Sequence, residues 1–193
     1  MTVKFVKPSR IEVTKFIDQL NQLLDYYPGE TLTEFSISCH NSCAVDQSSQ
    51  FVKFDKWVQF AMSKKVRKFS LDFTDLLAGV LYPKYQFPAI LYGQKRLRSR
   101  VIGLPRCTSL TDMRLEYVNV TGKQINYFLE CCPLLESLCV IKSDSLTSLK
   151  VDGSIQLKFL EIQHCNKLEI LEISAPNLMS FKYCNHLVTS MPL

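Results

Sequence analysis

Four copies of one six-residue phrase, almost evenly spaced, restrict what this chain can fold into more than any other feature. Leu146-Thr147-Ser148-Leu149-Lys150-Val151, Leu157-Lys158-Phe159-Leu160-Glu161-Ile162, Leu168-Glu169-Ile170-Leu171-Glu172-Ile173 and Leu178-Met179-Ser180-Phe181-Lys182-Tyr183 share one pattern. An apolar residue stands at positions one, four and six, and the last is β-branched or aromatic. The first leucines fall 11, 11 and 10 residues apart. On a strand, positions four and six share a face, and Lys150, Glu161, Glu172 and Lys182 between them point the other way. One such unit cannot bury its own apolar side, whereas units stacked along an axis build a continuous core. The period therefore predicts a solenoid, with Leu149, Leu160, Leu171 and Phe181 inside.

The same phrase runs through the rest of the chain with longer spacers. Leu32-Thr33-Glu34-Phe35-Ser36-Ile37 and Val66-Arg67-Lys68-Phe69-Ser70-Leu71 start 34 residues apart, with an amphipathic helix predicted near Gln50 to Ser63 between them. An earlier helix is predicted from Ser9 to Tyr27, opened by a capping box of Ser9 and Glu12 and stopped by Pro28-Gly29. Its apolar stripe runs Ile11, Phe16, Ile17, Leu20, Leu23, Leu24, Tyr27. Val3 to Val6 reads as a short edge strand. Ala89 to Tyr92 reads as a further strand, and Leu97 to Ile102 resembles the repeat but places Arg100 inward: either the register slips by one residue, which exchanges the faces, or the unit is degenerate. The phrase returns at Leu110-Thr111-Asp112-Met113-Arg114-Leu115. Thr121 and Gln124 then cap a helix of about ten residues that buries Ile125, Phe128, Leu129 and Cys132 and ends at Pro133.

Leu135-Glu136-Ser137-Leu138-Cys139-Val140 opens the short-spaced region. An 11-residue spacing leaves no room for helices, so two strands per coil, one on each side, are expected there. Together these signals predict an α/β leucine-rich-repeat solenoid: a curved parallel sheet, helices on the convex side in the N-terminal and middle units, and a more β-rich C-terminus. The expected organisation is one domain over 1–193, with helix-containing units in 1–134 and strand repeats of 10–11 residues in 135–193.

Composition excludes several classes. An apolar fraction of 47% with 21% charged residues is that of a folded chain, not a disordered one. Met1 to Arg10 lacks the apolar core of a signal peptide, and no run is long enough to span a membrane. An intracellular protein, in cytoplasm or nucleus, is expected, with its eight cysteines reduced. Cys139 and Cys165 fall where the repeat accepts a small apolar residue.

The strings Leu110 to Val120, Phe128-Leu129-Glu130-Cys131-Cys132-Pro133-Leu134-Leu135-Glu136, Leu157 to Cys165 and Ile173-Ser174-Ala175-Pro176-Asn177-Leu178 resemble the repeat region of plant F-box/leucine-rich-repeat proteins. The resemblance implies a non-catalytic module that holds the target of a cullin-type ubiquitin ligase. An F-box is not found in this sequence, so a ligase adaptor is expected as a partner only of a longer form carrying one. Two further readings stand beside this one: a scaffold without a ligase role, and a small-ligand sensor.

The sensor reading rests on Lys95, Arg96, Arg98, Arg100 and Arg106, five positive charges without an acid between Gln94 and Arg106, equal to the chain's net charge of +5. Guanidinium forks suit phosphate oxygens, and relatives of the resembled family that act as hormone receptors imply a polyphosphate ligand. A solvated loop is the plainer reading. Aromatic residues are not interleaved with these charges, so nucleic acid is not expected. For a protein partner, the candidate contacts are Arg114, Glu116, Lys150, Glu161, Glu172 and Lys182. Cys39, His40 and Cys43 lie close together, but no second ligand pair follows at zinc spacing, and loop or core roles are expected. No catalytic motif occurs, and neither cofactor, metal nor enzymatic activity is expected.

Overall fold

Repeat strands from residue 34 to residue 163 each bury their second and fourth side chains, with the intervening ones on the opposite face. The computed structural model describes residues 2–6, 13–38, 47–74, 84–87 and 108–185. In chain order the elements are β1 (Thr2–Val6), α1 (Val13–Asp25), β2 (Glu34–Ser38), α2 (Gln47–Ser63), β3 (Lys68–Asp72) and β4 (Tyr85–Gln86). They continue with β5 (Asp112–Glu116), β6 (Val118–Asn119), α3 (Gly122–Cys131), β7 (Ser137–Ile141), β8 (Ser148–Asp152), β9 (Phe159–Gln163), β10 (Ile170–Ser174) and β11 (Ser180–Cys184).

A seven-stranded, fully parallel sheet forms the spine, in the order β1-β2-β3-β5-β7-β9-β11. Register carries inward positions into inward positions: Phe35, Phe69, Met113, Leu138 and Leu160 form one line, and Ile37, Leu71, Leu115, Val140 and Ile162 another. Helix residues Leu20, Leu24, Phe54, Trp57, Val58, Ala61, Ile125 and Phe128 join the same buried cluster, so the helices cover this side of the sheet. Trp57 adds a polar tie between α2 and α1, donating its indole N–H to the Asn21 side chain at 2.8 Å.

Past α3 the architecture changes as the 11-residue spacing requires. Strands β7, β9 and β11 join the spine, and the alternate strands β8 and β10 pair in a second parallel sheet. Partners in register, such as Ser148 and Ile170 or Ser137 and Phe159, lie one two-strand coil apart. The second sheet takes the place that helices occupy in earlier coils. At the changeover α3 abuts β8 so closely that a Cβ on Gly122 would sit 1.9 Å from the Ser148 carbonyl oxygen.

Strand ends turn through a recurrent corner. Tyr117, Lys142 and His164, each following a spine strand, are left-handed, with φ of 56°, 57° and 52°. Their N–H groups bond the carbonyls of Ile141, Gln163 and Cys184 on the next coil. Gly153 makes the same corner after β8, with φ of 66° and its N–H on Ser174.

Several expectations need correction. Phe181 is 44% exposed and Tyr183 46%, not interior, because among the described residues no strand stacks on β11; Leu171 and Ile173 are half-buried. Leu23 is 59% exposed, off the buried stripe of α1. Leu129 is half-buried. The pairing of β4 with β6 had no counterpart in the sequence reading. The Ser9–Glu12 capping box and the segments Ala89 to Tyr92 and Leu97 to Ile102 lie outside the described residues.

Candidate functional site: the open face of the spine sheet

Because neighbouring strands are parallel and in register, the third residue of each spine strand falls in one row on the side away from the helices. That row reads Lys4, Ser36, Ser70, Arg114, Cys139, Glu161 and Lys182. Fifth positions include Asp72, Glu116 and Gln163, in line beside it.

The C-terminal half of the row is a connected polar network. Arg114 donates to Glu116 Oε2 at 2.8 Å and to Cys139 Sγ at 3.1 Å, and lies 3.6 Å from Glu161 Oε2. Cys139 donates its thiol proton to Glu161 Oε2 at 3.1 Å. Lys182 donates to Glu161 Oε1 at 2.9 Å, and the Gln163 side-chain amide donates to the same oxygen. Glu161 thus takes hydrogen bonds or charge from residues of β5, β7, β9 and β11. The N-terminal half is small and hydroxylated at Ser36 and Ser70, bordered by ion-paired Lys4 and Glu34 at 2.9 Å.

These contacts set the protonation states. The hydrogen bond from Lys182 holds the Glu161 carboxyl below its ordinary range; partial burial opposes this, and Cys139 and Arg114 reinforce it. Burial, then the hydrogen bond to Glu161, pushes the Cys139 thiol up to about 12, with Arg114 pulling the other way. A thiol held neutral in this way is a poor nucleophile at neutral pH. The network is a charged patch with a carboxylate at its centre.

Arg114, Glu116, Glu161 and Lys182 therefore stand together on the spine. Lys150 and Glu172 do not join them: they pair across β8 and β10 of the second sheet at 3.3 Å, both more than half exposed. The alternation of strands between two sheets separates side chains that the repeat phrase places alike. Lys95, Arg96, Arg98, Arg100 and Arg106 lie outside the described residues, as do Cys39, His40 and Cys43. Among the described residues no three His, Cys, Asp or Glu side chains are grouped to hold a metal, and no helix is long and apolar enough to cross a membrane. Sequence reasoning placed Cys139 where the repeat accepts a small apolar residue; it is buried, and lies on the open face beneath its network partners. Its central position in the phrase, equivalent to Glu161, was the available signal.

A family model for the leucine-rich-repeat domain of the At1g61320/AtMIF1 type matches residues 23–193. Similar curated proteins come from Arabidopsis thaliana. F-box/LRR-repeat protein At3g03360 is 27% identical over 86% of this chain and 36% of its own length. F-box/LRR-repeat protein 25 is 28% identical over 82% of this chain and 62% of its own, and F-box/LRR-repeat protein At2g42730 is 25% identical over 99% and 43%. The chain thus spans less than two thirds of the length of each. No solved structure matches.

Proposed function

The chain belongs to the leucine-rich-repeat domain family of the At1g61320/AtMIF1 type, and from its open sheet face we infer a protein-interaction module whose target lies across β5, β7, β9 and β11. The observation that carries this reading is the Arg114–Cys139–Glu161–Lys182 row, four consecutive spine strands joined by charge-assisted contacts on a side that no described element covers. Both signs of charge alternate there, which favours a protein surface over a uniformly charged polymer.

Size sets a condition. Seven strands about 4.8 Å apart and five residues at about 3.3 Å give a face of roughly 29 by 16 Å, about 450 Å² in projection. A stable interface takes about 800 Å² from each partner. A target that also touches the loops at the strand ends buries more than the face alone.

The relatives' names carry the F-box, and by their likeness the target would be the substrate of a ubiquitin ligase. Affinity purification with mass spectrometry tests both levels. Glu161→Arg should remove the specific partners, and Glu169→Lys, exposed beside the second sheet, should retain them. Adaptor and cullin subunits among the retained proteins support ligase membership; specific partners without them leave an interaction module acting outside a ligase. Partners unchanged by Glu161→Arg would overturn the sheet-face reading.

A further inference from the structure

The changeover from helix to strand on the back of the solenoid has a geometric consequence. A helix with its side chains is about 10 Å across, and a strand is much thinner. Where α3 gives way to β8 the back surface drops, and a groove of about 540 Å³ opens along the step. Its walls come from the second half of α3 and the turn after it, and from the end of β8 with the corner that follows.

The lining is apolar at Leu129, Pro133, Leu135 and Ile155, with Ile155 61% exposed. Its unpaired charges are negative. Glu130 and Asp152 line the groove, are exposed and have no ion-pair partner among the described residues. The cation at the rim, Lys150, is already paired with Glu172. Asn126, also in the lining, has its side-chain oxygen buried without a hydrogen-bond partner. Among the charged groups of the lining negative charge is in surplus, and Ser154 and Gln156 add neutral polar groups at the corner.

We propose that this groove is a second docking site, distinct from the spine face, for a short peptide segment of a partner protein carrying a lysine or arginine beside an aliphatic side chain. The aliphatic group lies on Leu129, Pro133 and Ile155. The cation sits between Glu130 and Asp152. An acidic segment would face two uncompensated carboxylates and is disfavoured.

Random heptapeptides displayed on phage and panned against the full chain test this directly. The enriched peptides should carry a basic residue next to Leu, Ile, Met or Val. Synthesised with a fluorescent label, they should bind about tenfold or more weakly to the double variant Glu130→Lys, Asp152→Lys, and unchanged to Glu161→Arg. Glu130 and Asp152 are exposed, so circular dichroism of the double variant should match the parent. Enrichment of acidic peptides, binding indifferent to the double reversal, or no enrichment at all would overturn the proposal. Peptides lost with Glu161→Arg alone would belong to the spine face, and would also overturn it.

Discussion

The thiol of Cys139 donates to the Glu161 carboxylate across 3.1 Å, from the one third-row position of the spine sheet that is buried among the described strands. Burial and that hydrogen bond both favour the neutral thiol. Alkylation of Cys139 by iodoacetamide, followed by peptide mapping, should therefore be slow at pH 8 and still rising near pH 11. Glu161→Gln removes the charged acceptor and should shift the profile to lower pH. Arg114→Gln removes the opposing cation and should shift it higher. Identical profiles in the three proteins would show that the network does not govern the thiol.

Glu161 should make stability depend on acid. Its folded-state value is lowered from 4.5, first by the Lys182 hydrogen bond. A depressed carboxylate contributes stability that is present above the unfolded value and lost as pH falls through the folded one. Between pH 7 and pH 3 the parent should lose more melting temperature than Glu161→Gln, and the two curves should converge at the acid end. Glu172→Gln is the contrast: its pair with Lys150 is exposed on both sides and should change little.

The inside–outside assignment has its own measurement. Leu160 is 1% exposed within the stacked core, and truncation to Ala should cost about 2–5 kcal/mol in urea unfolding. Phe181 occupies the next position in the same register line but is 44% exposed, so Phe181→Ala should cost less than Leu160→Ala despite removing more atoms. Lys158→Ala loses only the half-exposed pair with Glu136 and should cost less than about 1 kcal/mol. Equal effects at Leu160 and Lys158 would reverse the faces.

The contrast between Leu160 and Phe181 shows how the sequence encodes this molecule. Position within the phrase is a local property, and it placed Leu149, Leu160, Val151 and Ile162 correctly in the core. The Thr121–Gln124 capping box is equally local and is present, Thr121 N–H to Gln124 Oε1 at 2.8 Å. Whether a given inward position is covered depends on the next coil, which the phrase does not encode, hence Phe181. The 11-residue spacing foretold two strands per coil, but it took the pairing itself to separate Lys150 and Glu172 from Glu161. The candidate site was legible as far as single strands go, through Arg114, Glu116, Glu161 and Lys182. For Cys139 the phrase indicated a small apolar position but not the side of the sheet, because a small apolar residue suits either side until its neighbours are known. The groove beside α3 was invisible, since it arises from the difference in thickness between two elements and not from any residue pattern.

That same junction gives the last prediction. A Cβ on Gly122 would meet the Ser148 backbone oxygen at 1.9 Å and its carbonyl carbon at 3.0 Å. Backbone of a paired strand cannot swing aside as a long side chain can. Gly122→Ala must therefore push α3 away from β8, at a cost of about 1–3 kcal/mol for overpacking, even though alanine is the better helix former. Gly153→Ala is the matched control: no atom lies within 4 Å of its added Cβ, and only the φ of 66° is strained, at about 1–2 kcal/mol. The two variants should differ in kind. Gly122→Ala should raise amide hydrogen exchange in both α3 and β8, because it parts two elements, whereas Gly153→Ala should affect only the corner after β8. Slower exchange in α3 with no loss of stability in Gly122→Ala would mean that helix and strand do not touch, and that the groove between them has another origin.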